Sequence, residues 1–319
     1  MVDENPFEFY YKRVIGRELE EITSENNVLW YYYPIFSFIP QDSDCWDAVV
    51  YDCSDNHTTS GWKYNYEMGL IERFRNEIGA RLSQQSEIKI LKHTDIVFTS
   101  SQYLYAKLSR YTDSPIYLEE TGVDLKKFET TERYGRIEQI EPPRLGFVGK
   151  MKQKIDYQLL GDVARKNPSW NIVLVGPDSE GNADSIRKIS NVTWIGAVDP
   201  DDVPQVMNSL DVGLMPYREI EYNKAVFPLK FHEYLASGLP VVGCGLPSTE
   251  RYVEDGIYLH TAVQSCAFAD ACSTALSWEN TTTGKKELAQ CADWTPKVKR
   301  IHERVSNICE SDENCSNKE

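Results

Sequence analysis

Short apolar runs that stop at glycine or proline, with stretches of helical spacing between them, recur along this chain and restrict its fold more than any other feature. In the second half the runs are Leu145–Lys150, Ile172–Pro177, Val192–Gly196, Val212–Pro216 and Val241–Gly243. They lack the in-out alternation of a half-exposed sheet, so they suit parallel strands covered on both faces. Tyr157–Lys166, Val203–Ser209 and the stretch opening at Pro228 supply the helices between them. Five strand signals separated by helices define an α/β domain wound on both faces of a parallel sheet.

The first half repeats the pattern less regularly. Val28–Tyr33, Ala48–Asp52, Ile96–Ser101 and Pro115–Leu118 read as strands, and Glu8–Ile22 and Glu67–Leu91 as helices. Ser101 is placed to cap a helix starting near Tyr103. The polar segment Thr130–Pro143 is expected to be the linker. The expected layout is a first domain over 1–135, a second over 141–284, a C-terminal helix over 285–309 and a frayed tail over 310–319.

The chain has 319 residues with 34 basic and 49 acidic side chains, a net charge of −15, which argues against general affinity for nucleic acid. An anionic ligand therefore needs a local cationic pocket. The eight cysteines include no Cys-x-x-Cys pair, so neither a zinc site nor a redox dithiol is signalled. The N-terminus has no basic, apolar leader, and no run reaches the roughly 18 residues that span a bilayer, so a cytoplasmic protein is expected. Neither half carries Gly-x-Gly-x-x-Gly between a strand and a helix, which disfavours a dinucleotide oxidoreductase.

Phe227–Val242 carries the densest chemistry. Gly238 suits the left-handed residue that ends a helix, Pro240 stops it, and Pro228 suits its first position. Lys230, Glu233 and Ser237, spaced three and four apart, share one face, with Leu229, Leu235 and Ala236 expected beneath. Alone, Lys230 and Glu233 read as a solvated ion pair. In the first turn of a helix, whose free N–H groups attract phosphate, they also outline a sugar-nucleotide site: lysine for a diphosphate, glutamate for ribose hydroxyls. At the carboxyl end of the Ala48–Asp52 strand stand Asp52, Asp55 and His57, where doubly wound folds gather ligand groups. Asp55 and His57 are the catalytic candidates; they read equally as turn-forming residues.

Taken in order, Gly122-Val123-Asp124 with Phe128, Val148-Gly149, Leu174–Pro177, Trp194–Gly196, Asp211–Pro216 and Pro228-Leu229-Lys230 with Glu233–Val242 resemble the GT-B glycosyltransferases of glycosyltransferase family 4. The resemblance spans most of residues 90–305. It implies two facing Rossmann-like domains that move a sugar from a nucleotide diphosphate, UDP- or GDP-linked, to a saccharide or lipid-linked acceptor. Transfer would proceed with retention, without metal or other cofactor, and with peripheral membrane contact where the acceptor is a lipid. By the same resemblance Lys230 and Glu233 hold diphosphate and ribose, Gly149 and Lys150 form the first phosphate turn with Lys152 and Lys154 nearby, and Pro177, Asp178 and the Trp194–Val198 segment border the nucleobase. A glycosyl-transfer reading, which only the resemblance implies, would have Asp55 and His57 orient the acceptor hydroxyl. Trp194 itself reads first as a core aromatic. Arg218 either reaches sugar or phosphate or pairs with Glu219 and Glu221.

Two departures stand out. The family often places a second glutamate eight residues before the position of Glu233, and here that residue is Ala225, leaving Asn223, Lys224 or Glu221 to substitute. The acceptor half also begins later than the family's first domain. A catalytically weakened nucleotide-binding or partner subunit is therefore the alternative.

Overall fold

In the computed structural model the described residues are 27–37, 39, 46–59, 70–278 and 283–316. The helix expected over Glu8–Ile22 lies outside them. The chain forms two compact units, one running to Glu120 and resuming at Val298, the other spanning Thr121–Lys297.

The first unit carries four parallel strands, β1 (Val28–Tyr31), β2 (Ala48–Cys53), β3 (Ile96–Thr99) and β4 (Ile116–Leu118), paired in that order. Helix α1 (Leu70–Leu91) leads into β3 and α2 (Gln102–Leu108) leaves it, with the Ser101 hydroxyl accepting from the Leu104 N–H as the expected cap. Ala48, Val50, Ile96 and Phe98 make the core of one sheet face.

The second unit holds β5 (Arg144–Val148), β6 (Asn171–Val175), β7 (Val192–Gly196), β8 (Val212–Pro216), β9 (Val241–Cys244) and β10 (Tyr258–Thr261). All pair in parallel in the order β10-β9-β8-β5-β6-β7. Chain order therefore reverses direction between β5 and β8, the switch point at whose carboxyl side doubly wound sheets bind ligands. Six strands stand where five were expected. The extra one, β10, reads Tyr-Leu-His-Thr, too short and too mixed for an apolar-run criterion. The helices are α3 (Gly135–Glu138), α4 (Tyr157–Lys166), α5 (Val203–Asn208), α6 (Glu221–Lys224), α7 (Leu229–Ala236), α8 (Ser265–Ser277) and α9 (Thr283–Gln290).

The units divide at Glu120, upstream of the segment expected as linker. That segment is bound into the second unit. Ile137 is buried and the Tyr134 N–H donates to the Ser209 hydroxyl at 2.7 Å, while just upstream Val123 bridges to Asp293 and Phe128 is buried. In place of one helix over 285–309 there are two, α9 and α10 (Trp294–Ser316), and α10 continues through much of the expected frayed tail. From Val298 onward α10 belongs to the first unit, where Ile301, Val305, Ile308 and Cys309 cover the β2–β3 core. Arg300 and Arg304 both engage Glu119 there, at 2.7 and 2.9 Å.

Candidate active site

The site is built from α7 upward. Pro228 lies in extended conformation at the N-cap rather than inside the helix, and Gly238 ends it at φ 76°. Phe231, Tyr234, Leu235 and Ala236 are buried, whereas Leu229, expected beneath the helix, is 50% exposed. Tyr234 fixes α7 to the centre of the sheet. Its hydroxyl accepts from the Val148 N–H at 2.9 Å and donates to the Gly146 carbonyl at 3.2 Å, and its ring fills the space a side chain on Gly213 would need. The anchor bridges β5 and β8, so α7 is held at the switch point.

One turn before Tyr234, Lys230 reaches over the Phe147 ring with Nζ 5.2 Å from its centroid. A Cβ on Gly149 would stand 3.0 Å from that Nζ, and Gly149 itself has φ 146°. Glycine is thus needed at 149 both for its backbone and for the approach of the lysine. Lys230 and Glu233 are half-buried and, among the described residues, neither forms an ion pair. Burial pushes the Lys230 ammonium below its ordinary pKa and the Glu233 carboxyl above its own, with their mutual attraction offsetting each shift in part. The surface ion pair that spacing alone suggested is not formed. Instead the cation and the carboxylate stay separate and partly desolvated, one able to take an anionic group and the other to accept from hydroxyls.

The loops after β5 and β8 are zipped to each other. The Asp156 N–H donates to the Pro216 carbonyl at 2.7 Å and the Arg218 N–H to the Lys154 carbonyl at 3.0 Å. The Lys154 ammonium lies 5.6 and 5.3 Å from the ring centroids of Tyr217 and Tyr222, a cation held by aromatic faces. Lys150 is exposed at the tip of its turn. The Arg218 Nε donates to the Ile155 carbonyl at 3.2 Å, and among the described residues no carboxylate pairs with it; Glu221 is taken by Lys224 at 2.7 Å. The expected pairing of Arg218 with Glu219 or Glu221 is therefore absent, and its guanidinium belongs to the loop pair at the sheet's carboxyl edge.

Beside β6, Pro177 is exposed and Asp178 is tied down by the N–H groups of Asn182 and Ala183 and by Arg187 at 2.5 Å. Trp194 is 39% exposed, not a core residue as expected. Its Nε1 donates to the Gly176 carbonyl at 3.0 Å, and the Arg187 guanidinium stacks on the ring at 3.6 Å. Sequence reasoning missed Arg187 altogether, since nothing in its local spacing announces a stacking partner seven residues on.

The residues singled out after β2 belong to the first unit. Burial pushes the Asp52 carboxyl up to about 6. His57 packs on Tyr33 with centroids 4.9 Å apart, and burial lowers its pKa against the opposing pull of Asp55 and Glu87. Beneath that loop Lys107 joins buried Glu87 at 2.7 Å and Asn56 Oδ1 at 3.1 Å, while Tyr51 donates to Glu87 at 3.0 Å. Asp55 and His57 thus ride on a loop anchored from below. Among the described residues no three His, Cys, Asp or Glu side chains group as a metal site requires, and no helix is long and apolar enough to cross a membrane.

Two units, each built on a parallel α/β sheet, are the architecture of the GT-B glycosyltransferases. Residues 142–277 match the family described as Glycosyl transferases group 1. The putative teichuronic acid biosynthesis glycosyltransferase TuaH of Bacillus subtilis (strain 168) is 30% identical over 310 residues, covering 92% of this chain and 76% of that protein. The chain belongs to the group 1 glycosyltransferase family, and it is a glycosyltransferase. Solved structures agree on the fold. Sucrose-phosphate synthase of Thermosynechococcus elongatus superposes with a TM-score of 0.74 at 17% identity, over 94% of this chain and 78% of that one. HepE of Anabaena, solved with UDP, gives 0.66 at 16% identity over 92% and 81%.

Proposed function

We propose that the chain transfers a sugar from a nucleoside diphosphate sugar, UDP- or GDP-linked, to a saccharide or lipid-linked acceptor in polysaccharide or glycolipid synthesis. Transfer retains anomeric configuration and uses no metal or cofactor, in the manner of glycosyltransferase family 4. The observation that carries this reading is Lys230 and Glu233, half-buried, in no ion pair among the described residues, and with the lysine Nζ set against Gly149. The diphosphate would take Lys230 with Lys150, Lys154 and Arg218, the ribose would take Glu233, and the base would border Pro177. In the transfer the bond from anomeric carbon to diphosphate oxygen breaks, the acceptor oxygen bonds to that carbon, and the acceptor proton leaves with the diphosphate. Asp55 and His57 would orient the acceptor hydroxyl. The relative named for teichuronic acid biosynthesis supports a polysaccharide acceptor. A lipid-linked acceptor would bring contact with the cytoplasmic membrane face, for which the first unit offers the exposed stripe Ile71, Phe74, Ile78 and Leu82 on α1.

The test is thermal protection by UDP and GDP. A saturating nucleoside diphosphate at about 100 times its Kd should stabilise the protein by about 2.7 kcal/mol, and Lys230→Ala should abolish the shift. No shift with either nucleotide would sink the reading. A weakened, nucleotide-binding subunit remains the second reading, favoured by Ala225, which is fully buried where the family often carries a glutamate. That reading expects the same thermal shift but no release of UDP or GDP from any donor and acceptor combination unless a partner chain is added.

A further inference from the structure

Asn223 is the second residue of interest at the switch point. It is fully buried on α6, yet it serves as neither cap of that helix. Its Nδ2 donates twice, to the Arg218 carbonyl at 2.7 Å and to the Lys154 carbonyl at 3.2 Å. These two carbonyls belong to the two loops that flank the switch point. The amide orientation is set by them, because a flipped side chain would press its own oxygen against two carbonyl oxygens. Its Oδ1 is buried and, among the described residues, meets no donor. Leaving a buried acceptor unpaired is unfavourable, and such an atom in a folded protein calls for a reason. The double donation supplies it: the two N–H groups of one amide nitrogen hold both carbonyls at once.

The residues beside Asn223 extend the same device. Tyr222, its neighbour, gives one of the two rings that hold the Lys154 ammonium, and Tyr217, which precedes Arg218, gives the other. The loop pair is further joined by the Arg218 N–H and Nε, which donate to the Lys154 and Ile155 carbonyls. α6 therefore holds the backbone at both Lys154 and Arg218 through the Asn223 amide and gives the Lys154 ammonium one of its two rings, while the Arg218 guanidinium is held by the loop after β5.

We propose that Asn223 is a positioning residue that fixes the spacing of Lys154 and Arg218, and through it the recognition of the second phosphate of a nucleoside diphosphate. The inference rests on the nucleotide-binding reading above. It assigns to Asn223 a task different from that of the glutamate absent at 225: the amide acts on two backbone carbonyls and not on the transferred sugar. A nucleoside monophosphate, which lacks the second phosphate, is expected to bind without regard to this spacing.

The experiment compares UDP with UMP, and GDP with GMP, by calorimetric titration of the full chain and its Asn223→Ala variant. In the wild type the diphosphate binds tighter than the monophosphate. In Asn223→Ala the diphosphate is expected to weaken about 10-fold or more, the scale of two lost hydrogen bonds, with monophosphate affinity unchanged. Asn223→Ser, whose single donor reaches one carbonyl at most, should fall between them, and it carries the test alone if the alanine variant fails to fold. Equal weakening of UDP and UMP would show a purely structural role and overturn the proposal, as would unchanged UDP binding in either variant. Failure of the wild type to bind any of the four nucleotides would instead remove the nucleotide-binding reading itself.

Discussion

His232 and Glu233 are adjacent on α7 and are treated in opposite ways. The His232 ring is 2% exposed, donates from Nδ1 to the Thr121 carbonyl at 2.9 Å and stacks on Phe227 with centroids 5.1 Å apart. It is satisfied as a neutral imidazole, and burial lowers its pKa from 6.5 to about 4. The first is a structural group, and the second is left half-buried with its carboxyl in no ion pair among the described residues. The histidine has its own consequence for pH. Because its folded pKa is depressed, the unfolded chain binds more protons between pH 6.5 and about 4, so the stability it contributes is whole above 6.5 and is lost as pH falls through that window. The shift corresponds to about 3 kcal/mol at full protonation. Urea unfolding of wild type and His232→Gln should therefore show stabilities that converge on acidification from pH 7 to 4, the wild type losing more. Parallel curves would mean that the ring is not held neutral.

At the scale of elements, α7 shows what the sequence makes legible. Gly238 followed by Pro240 marked its end, and the structure places Gly238 at φ 76° with its N–H donating to the Leu235 carbonyl at 2.9 Å. Gly238→Ala is expected to destabilise by about 1 kcal/mol while leaving the UDP thermal shift in place; loss of the shift would mean that the cap also sets Lys230. The strands of the second unit were readable for the same kind of reason, since burial on both faces leaves continuous apolar runs. β10 was not, because an edge strand of four residues needs no such run. Trp194 was misplaced because hydrophobicity cannot distinguish a core aromatic from one whose indole N–H is tethered to a strand end and whose face is covered by Arg187. Lys230 and Glu233 could be named from spacing and position, but whether they close on each other could not. That depends on Phe147 and Gly149 beneath the lysine, and on the depth to which Tyr234 draws the helix. Asn223 was visible only as one of three possible substitutes for an absent acid.

Across the whole molecule, the chain returns to its first unit after completing its second, and this governs how ligand binding should register. α10 from Val298 onward supplies Val305 and Cys309 to the same core as Ala48, Val50, Ile96 and Phe98, so the first unit cannot be completed by the N-terminal half alone. The second unit is continuous, from Thr121 to Lys297, and contains Gly149, Lys150, Lys154, Pro177, Arg218, Lys230 and Glu233 together, whereas Asp55 and His57 lie in the first. A nucleoside diphosphate held by the former set stabilises the unit that binds it by mass action and leaves the intrinsic stability of the other untouched. Amide hydrogen exchange on the full chain with saturating UDP should accordingly show slowed exchange in β5, β8 and α7, with the amides of β1–β4 unchanged. Equal slowing in both units would place part of the nucleotide's contacts on the first unit and shift the burden of donor recognition toward Asp55 and His57. A truncation ending before Trp294 makes the complementary test. It should expose the β2–β3 core face and lower the first unit's stability, yet retain most of the UDP affinity, because every proposed donor contact lies before that residue.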